Sequence, residues 1–75
     1  MEEITGTLRN WYVEMVNETE GIVWGHVFGD SRRRFRDGTF IHTSGVIVAN
    51  HALIEGEVIQ TRNSRYLLGT PVASR

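Results

Sequence analysis

Nowhere in the chain do apolar residues recur at helical spacing for more than a turn or two. Short runs rich in Val, Ile, Thr, Trp, Tyr and Phe follow one another instead, separated by Gly, Asp and Asn. That punctuation specifies strands and tight reversals, so the chain is expected to be all-β. With 75 residues and no Cys, it has to form one small domain spanning 1–75 without disulfide or thiolate-metal support. A single core of this size is hard pressed to offset the ordering entropy of its own chain, which points to a homo-oligomer that completes its core across an interface. A small antiparallel barrel or sandwich of five to six strands, SH3-like or OB-like, is the expected architecture, with residues 70–75 as a frayed tail. No apolar run approaches a membrane span, and Met1-Glu2-Glu3 is acidic where a signal peptide is basic, so no membrane contact and a cytoplasmic location are expected.

All eight basic residues are Arg, and their placement is lopsided. Residues 1–30 hold one Arg and six acids, whereas residues 31–75 hold seven Arg and three acids. Such asymmetry permits head-to-tail or isologous association of acidic and basic edges. A net charge of −1 argues against general nucleic-acid binding, which draws on surplus positive charge.

Strand register can be argued from the turns. A loop over Thr19-Glu20-Gly21 pairs Glu18 with Ile22 and sets Glu14 opposite His26. One face then carries Trp11, Val13, Met15, Val23 and Val27 as core. The opposite face carries Tyr12, Glu14, Val16, Trp24, His26 and Phe28, too aromatic for water and too polar for ordinary core. Tyr12, Trp24, His26 and Phe28 are therefore expected at a subunit interface, with a ligand as the other occupant. A two-residue loop would move Trp24 inward. Asp37-Gly38 is the strongest hairpin signal in the chain. It pairs Phe35 with Phe40 in the core and gathers Arg32, Arg34 and Arg36, with Arg33 nearby, on one face. Asn50-His51-Ala52-Leu53 reads as a short helical turn, and a last hairpin around Asn63-Ser64 sets Arg62 opposite Arg65.

Three groups carry the candidate chemistry. Arg32, Arg34 and Arg36 form either a phosphate-binding patch or an edge strand blunted by charge. Arg62, Asn63, Ser64, Arg65 and Tyr66 combine paired cations and short donors with a ring on which a base can stack. In His42-Thr43-Ser44, followed by Gly45, hydroxyls and an imidazole precede a residue that lets a ligand approach the backbone. His26, His42 and His51 have no metal-site spacing, so neither metal nor cofactor is expected. Glu14 with His26 is the only acid–base pair that register brings together, and a catalytic cleft is not expected.

The stretches Gly29–Ser44 and Val58–Gly69 resemble a group of small bacteriophage and prophage all-β proteins. The shared pattern is an Arg-Phe-x-Asp-Gly hairpin, a Thr-Ser end and a terminal Thr-x-Asn-Ser-x-Tyr-x-Leu-Gly strand. It is matched here by Arg34, Phe35, Asp37, Gly38, Thr43, Ser44, Thr61, Asn63, Ser64, Tyr66, Leu68 and Gly69. The likeness covers about half the chain and is at motif level. The run Arg32-Arg33-Arg34 is richer in charge than the pattern requires. The resemblance implies a phage-encoded inhibitor of anti-phage defence in the host bacterial cytoplasm. Such a protein would act by sequestering a small phosphate-bearing nucleotide or, alternatively, by binding a host protein. A small nucleic-acid-binding barrel is the third reading.

Overall fold

The computed structural model describes residues 4–48 and 53–72. Six strands are formed: β1 (Gly6–Met15), β2 (Glu20–Phe28), β3 (Thr39–His42), β4 (Val46–Ile47), β5 (Val58–Gln60) and β6 (Arg65–Leu68). They make one open sheet in the order β3-β2-β1-β6-β5, with β4 pairing β2 beyond β3. The all-β expectation holds. A closed, purely antiparallel barrel does not form, because the sheet is open and β1 runs parallel to β6. The helical turn expected over Asn50-His51-Ala52-Leu53 falls largely on residues outside those described.

The first hairpin shows how one side chain resets a register. Its turn closes on Asn17-Glu18-Thr19 and not on Gly21. The Asn17 Oδ1 accepts the N–H groups of Thr19 and Glu20, both at 2.9 Å, and Val16 N–H donates to Glu20 O at 2.9 Å. Asn side chains favour such turns because they satisfy backbone donors two and three residues on. Glu14 therefore lies opposite Ile22, and Arg9 opposite His26, so the expected Glu14–His26 pair does not exist. The slip is an even number of residues, so each side chain keeps its face. Trp11, Val23 and Val27 are buried as expected, Val13 is half-buried, and Met15 is exposed. An Asn17→Ala variant should lose about 1 kcal/mol, the usual cost of a side chain that caps local backbone donors. A lowered urea midpoint at unchanged slope checks it.

Between Arg9 and Tyr12 the pairing slips at a bulge, with Asn10 at a φ of 52°. The extra residue keeps Trp11 pointing inward. Gly25 accommodates it, because a Cβ there would stand 3.1 Å from Trp11 Cβ and 3.3 Å from Arg9 O. The bulge also frees β1 to hold the C-terminal segment. Asn10 N–H donates to Thr70 O at 2.7 Å, Val72 N–H donates to Trp11 O at 2.9 Å, and Trp11 bridges Pro71. Residues 70–72 are thus tied to the sheet where a frayed tail was expected.

Leu8, Val23, Val27 and Leu68 are fully buried, joined by Trp11, Val46, Val48, Ile59 and Tyr66. Phe35 packs against this core from one side. Its expected partner, Phe40, lies opposite His26 on the outer face of the sheet instead.

Candidate functional site

The two outer margins of the open sheet, β3–β4 and β5, approach each other along a seam. Ser44 Oγ spans it by accepting Arg62 N–H at 3.0 Å. Beside that bond lies a cleft of about 140 Å³. Ile41 to Ser44 line it from the β3 side, Thr61, Asn63, Ser64 and Tyr66 from the β5–β6 turn, and Arg34 and Phe35 from the loop before β3. Of the eleven residues expected to bind a ligand, the structure brings Arg34, His42, Thr43, Ser44, Asn63, Ser64 and Tyr66 to this cleft. Arg32, Arg36, Arg62 and Arg65 are not among its walls.

The arginine ladder is absent because residues 32–36 are not a strand. Asp30, 8% exposed, organises them into a compact loop. Its Oδ2 accepts the backbone N–H of Arg34 at 2.7 Å and of Phe35 at 3.2 Å, and its Oδ1 accepts that of Arg32 at 3.4 Å. Arg33 takes a φ of 55° within the loop. Three donors converging on one carboxylate hold the backbone curled, and an extended strand would abandon them. Asp37, expected in the hairpin turn, accepts Gly29 N–H at 2.8 Å and closes the same loop.

The Arg34 guanidinium folds back on that carboxylate, with Nη2 3.4 Å from Asp30 Oδ1. The same Nη2 reaches Ser64 Oγ at 3.4 Å and Tyr66 Oη at 3.2 Å. Burial alone would raise the Asp30 pKa, but the Arg34 side chain and the N–H groups of Arg34 and Arg32 outweigh it and hold the carboxyl below its ordinary value. Arg34 is raised, chiefly by its bond to Asp30. The cleft is therefore close to electrically neutral, not strongly positive.

The β5–β6 turn also differs from expectation. Thr61 N–H and Oγ1–H both donate to Ser64 O, at 2.8 and 3.1 Å, and Ser64 N–H donates back to Thr61 Oγ1 at 3.1 Å. This four-residue turn sets Gln60, not Arg62, opposite Arg65. Thr43 is likewise spent on the fold: it interrupts the strand between β3 and β4, and its Oγ1 accepts Val23 N–H at 3.1 Å. Close approach over Gly45 is taken by the Glu20 carboxylate, which lies against it. Donors in the cleft that remain for a ligand include the hydroxyls of Ser44 and Tyr66, the Asn63 amide, and Arg34 Nη1, which has no partner among the described residues. Phe35, Ile41 and Thr61 were not anticipated as walls. Asp30, which positions Arg34, read in the sequence only as a turn residue.

On the outer face of β1–β2–β3 the rings of Tyr12, Trp24 and Phe40 lie nearly parallel across neighbouring strands. Their centroids are 6.5 and 5.6 Å apart, at 10° and 22°. His42 packs 4.7 Å from Trp24 and also lines the cleft, so the two features are continuous. Arg9 sits 4.8 Å over the Phe28 ring. Trp24 Nε1–H donates to Glu14 Oε1 at 3.0 Å. His26 Nδ1 is shut off from solvent with no hydrogen-bond partner among the described residues.

Farther along the seam, a larger groove of about 360 Å³ runs between β4 and β5. Val46, Ile47, Leu53, Val58 and Ile59 dominate its walls, and it borders residues outside those described. Its described walls lack the converging donors of the smaller cleft. Among the described residues no three acidic or histidine side chains are grouped to hold a metal ion, and no helix is long and apolar enough to cross a membrane. Compared with protein-family models, with curated proteins and with solved structures, the chain finds no match in any of the three.

Proposed function

We propose that this chain is a non-enzymatic binding protein that sequesters a small nucleotide through a phosphodiester group held in the seam cleft. The observation that carries this reading is the convergence of unspent donors from three separate segments: Arg34, Ser44, and Asn63 with Tyr66. A phosphate group offers only acceptors, so a site made of donors is its complement. The charge balance narrows the ligand. Arg34 is already paired with Asp30, so the cleft compensates a singly charged phosphodiester better than a terminal phosphate with two charges. Ligand sites for whole drug-sized molecules run to roughly 300 Å³ or more, so the cleft takes the phosphoryl end. The base then rests outside, against the His42 ring at the mouth of the cleft. The open sheet serves as an SH3-like or OB-like barrel would, with its seam as the binding site. The biological setting follows the resemblance: a phage-encoded inhibitor, acting in the host bacterial cytoplasm, that withdraws a nucleotide signal from anti-phage defence.

Thermal melts with a panel of cyclic mononucleotides, cyclic dinucleotides, ADP-ribose and inorganic phosphate test this. A cognate ligand at one hundred times its Kd should add about 2.7 kcal/mol of stability. It should also be recovered chemically intact after denaturation. Asn63→Ala, at an exposed position, should weaken binding by roughly tenfold with the ligand-free melt unchanged, the usual loss for one hydrogen bond to a charged group. Ser44→Ala should weaken binding as much but also lower the ligand-free melt slightly, because Arg62 N–H loses its acceptor. A panel with no shift, together with capture of one host protein, would replace this reading by the protein-binding alternative. Recovery of cleaved nucleotide would make the protein a hydrolase.

A further inference from the structure

We infer that the aromatic outer face of β1–β2–β3 is a two-fold, isologous contact between two copies of this chain. The face is exposed where a lone domain would cover it: Tyr12 is 42% and Phe40 48% accessible, beside the half-buried Trp24 and Phe28. Contiguous aromatic surface of this kind marks a contact site. What selects a second copy over other occupants is the placement of charge around it.

The Asn17 turn sets Glu14 opposite Ile22, and the bulge at Asn10 and Trp11 brings Arg9 opposite His26. Trp24 sits midway, two residues from each along β2. The cation and the anion therefore flank the Tyr12–Trp24 rung at equal offsets of roughly 7 Å, from about 3.3 Å per residue. A dyad through that rung superposes the Arg9 end of one copy on the Glu14 end of the other. Arg9 then meets Glu14 of the partner subunit, and the pair occurs twice. Beyond Arg9 the same end continues toward the loop bearing the exposed Arg32, Arg33 and Arg36, while beyond Glu14 come Glu18 and Glu20. The opposition of the two ends is what an antiparallel pair of identical faces needs, since an isologous contact must be complementary to itself. A uniformly charged face would repel its copy. Glu14 can serve both partners, because the Trp24 indole takes Oε1 and leaves Oε2 free.

The test is the solution mass of the full chain across micromolar concentrations, by sedimentation or light scattering, for the wild type and for charge reversals. The wild type should run at twice the monomer mass. Arg9→Glu and Glu14→Arg alone should each raise the dimer dissociation constant by about tenfold or more, since each sets like charges face to face twice. The Arg9→Glu/Glu14→Arg double variant restores opposite charges and should restore the dimer. Far-UV circular dichroism shows that each variant is folded. Glu14→Gln keeps an acceptor for the Trp24 indole and should weaken the dimer less than Glu14→Arg does. A monomeric wild type, or a folded double variant that stays as weak as the single reversals, overturns the inference. So does a monomer whose Trp24 fluorescence is quenched by a single-stranded oligonucleotide, because the rings would then be a base-stacking platform. None of these outcomes depends on whether the seam cleft binds a nucleotide.

Discussion

Truncating Trp11 to alanine is expected to cost about 3–5 kcal/mol, the range for removing a buried aromatic ring. A domain of this length has roughly 4–11 kcal/mol in all, so the variant gives up a large share of its stability and should melt well below the wild type. Trp11 is 5% exposed, and its Cβ lies against Gly25. Its Nε1–H donates to Gly69 O at 2.7 Å, and its backbone carbonyl accepts Val72 N–H at 2.9 Å. Loss of the indole therefore opens a cavity and also removes one of the bonds that tie the end of β6 to β1. Trp11→Phe separates the two effects: it keeps most of the volume and removes only the donor. It should cost about 1–2 kcal/mol, toward the lower end for an orphaned acceptor because Gly69 is only half-buried and water can replace part of the bond. Urea unfolding followed by circular dichroism measures both. A loss below about 1 kcal/mol for the alanine variant would show that the core collapses around the gap.

Trp11 also shows which parts of this fold could be read from the chain. Alternation along β1 and β2 has a period of two, so the burial of Trp11, Val23 and Val27 and the outward placement of Tyr12, Trp24, His26 and Phe28 followed from sequence even with the turn misplaced. Register slips by an even number of residues, here four, conserve faces. What escaped were cases in which one polar side chain bonds backbone groups a few residues along the chain. Asn17, Asp30 and Thr61 each do this: the first two move turns expected at Gly21 and at Asp37-Gly38, and Thr61 widens the turn expected at Asn63-Ser64. The parallel β1–β6 pair was equally hidden, because nothing local encodes a partner some sixty residues away. For the cleft, residue types such as Asn63, Ser64, Tyr66 and the Thr43-Ser44 pair were sufficient to nominate it. The mistake lay in counting charges: Arg32, Arg34 and Arg36 were placed together by a strand that Asp30 prevents.

Asp30 is accordingly where the second large effect is expected. Asp30→Asn should lose about 2–3 kcal/mol, less than the 3–5 typical of a broken buried ion pair, because the Arg34 side chain is 37% exposed and water can solvate it once its partner is gone. The pH dependence has a definite sign. The native carboxyl titrates below its ordinary value, so the unfolded chain binds the proton more readily. The stabilisation is therefore complete above the ordinary carboxylate range and is lost as pH falls through the lowered native pKa. Unfolding free energy measured from pH 7 downward should fall in the wild type, and this part of the fall should be missing in Asp30→Asn. Arg34→Gln distinguishes the two jobs of the carboxylate. If Asp30 acted mainly as an ion-pair partner, removing either member would cost about the same. Its shortest bond, however, is to the Arg34 backbone N–H at 2.7 Å, while both guanidinium contacts are 3.4 Å. Arg34→Gln should thus cost only about 1 kcal/mol, since the three backbone donors keep their acceptor. Equal losses for the two variants would mean that the loop is held by charge, and that the neutral cleft beside it depends on the ion pair for its shape.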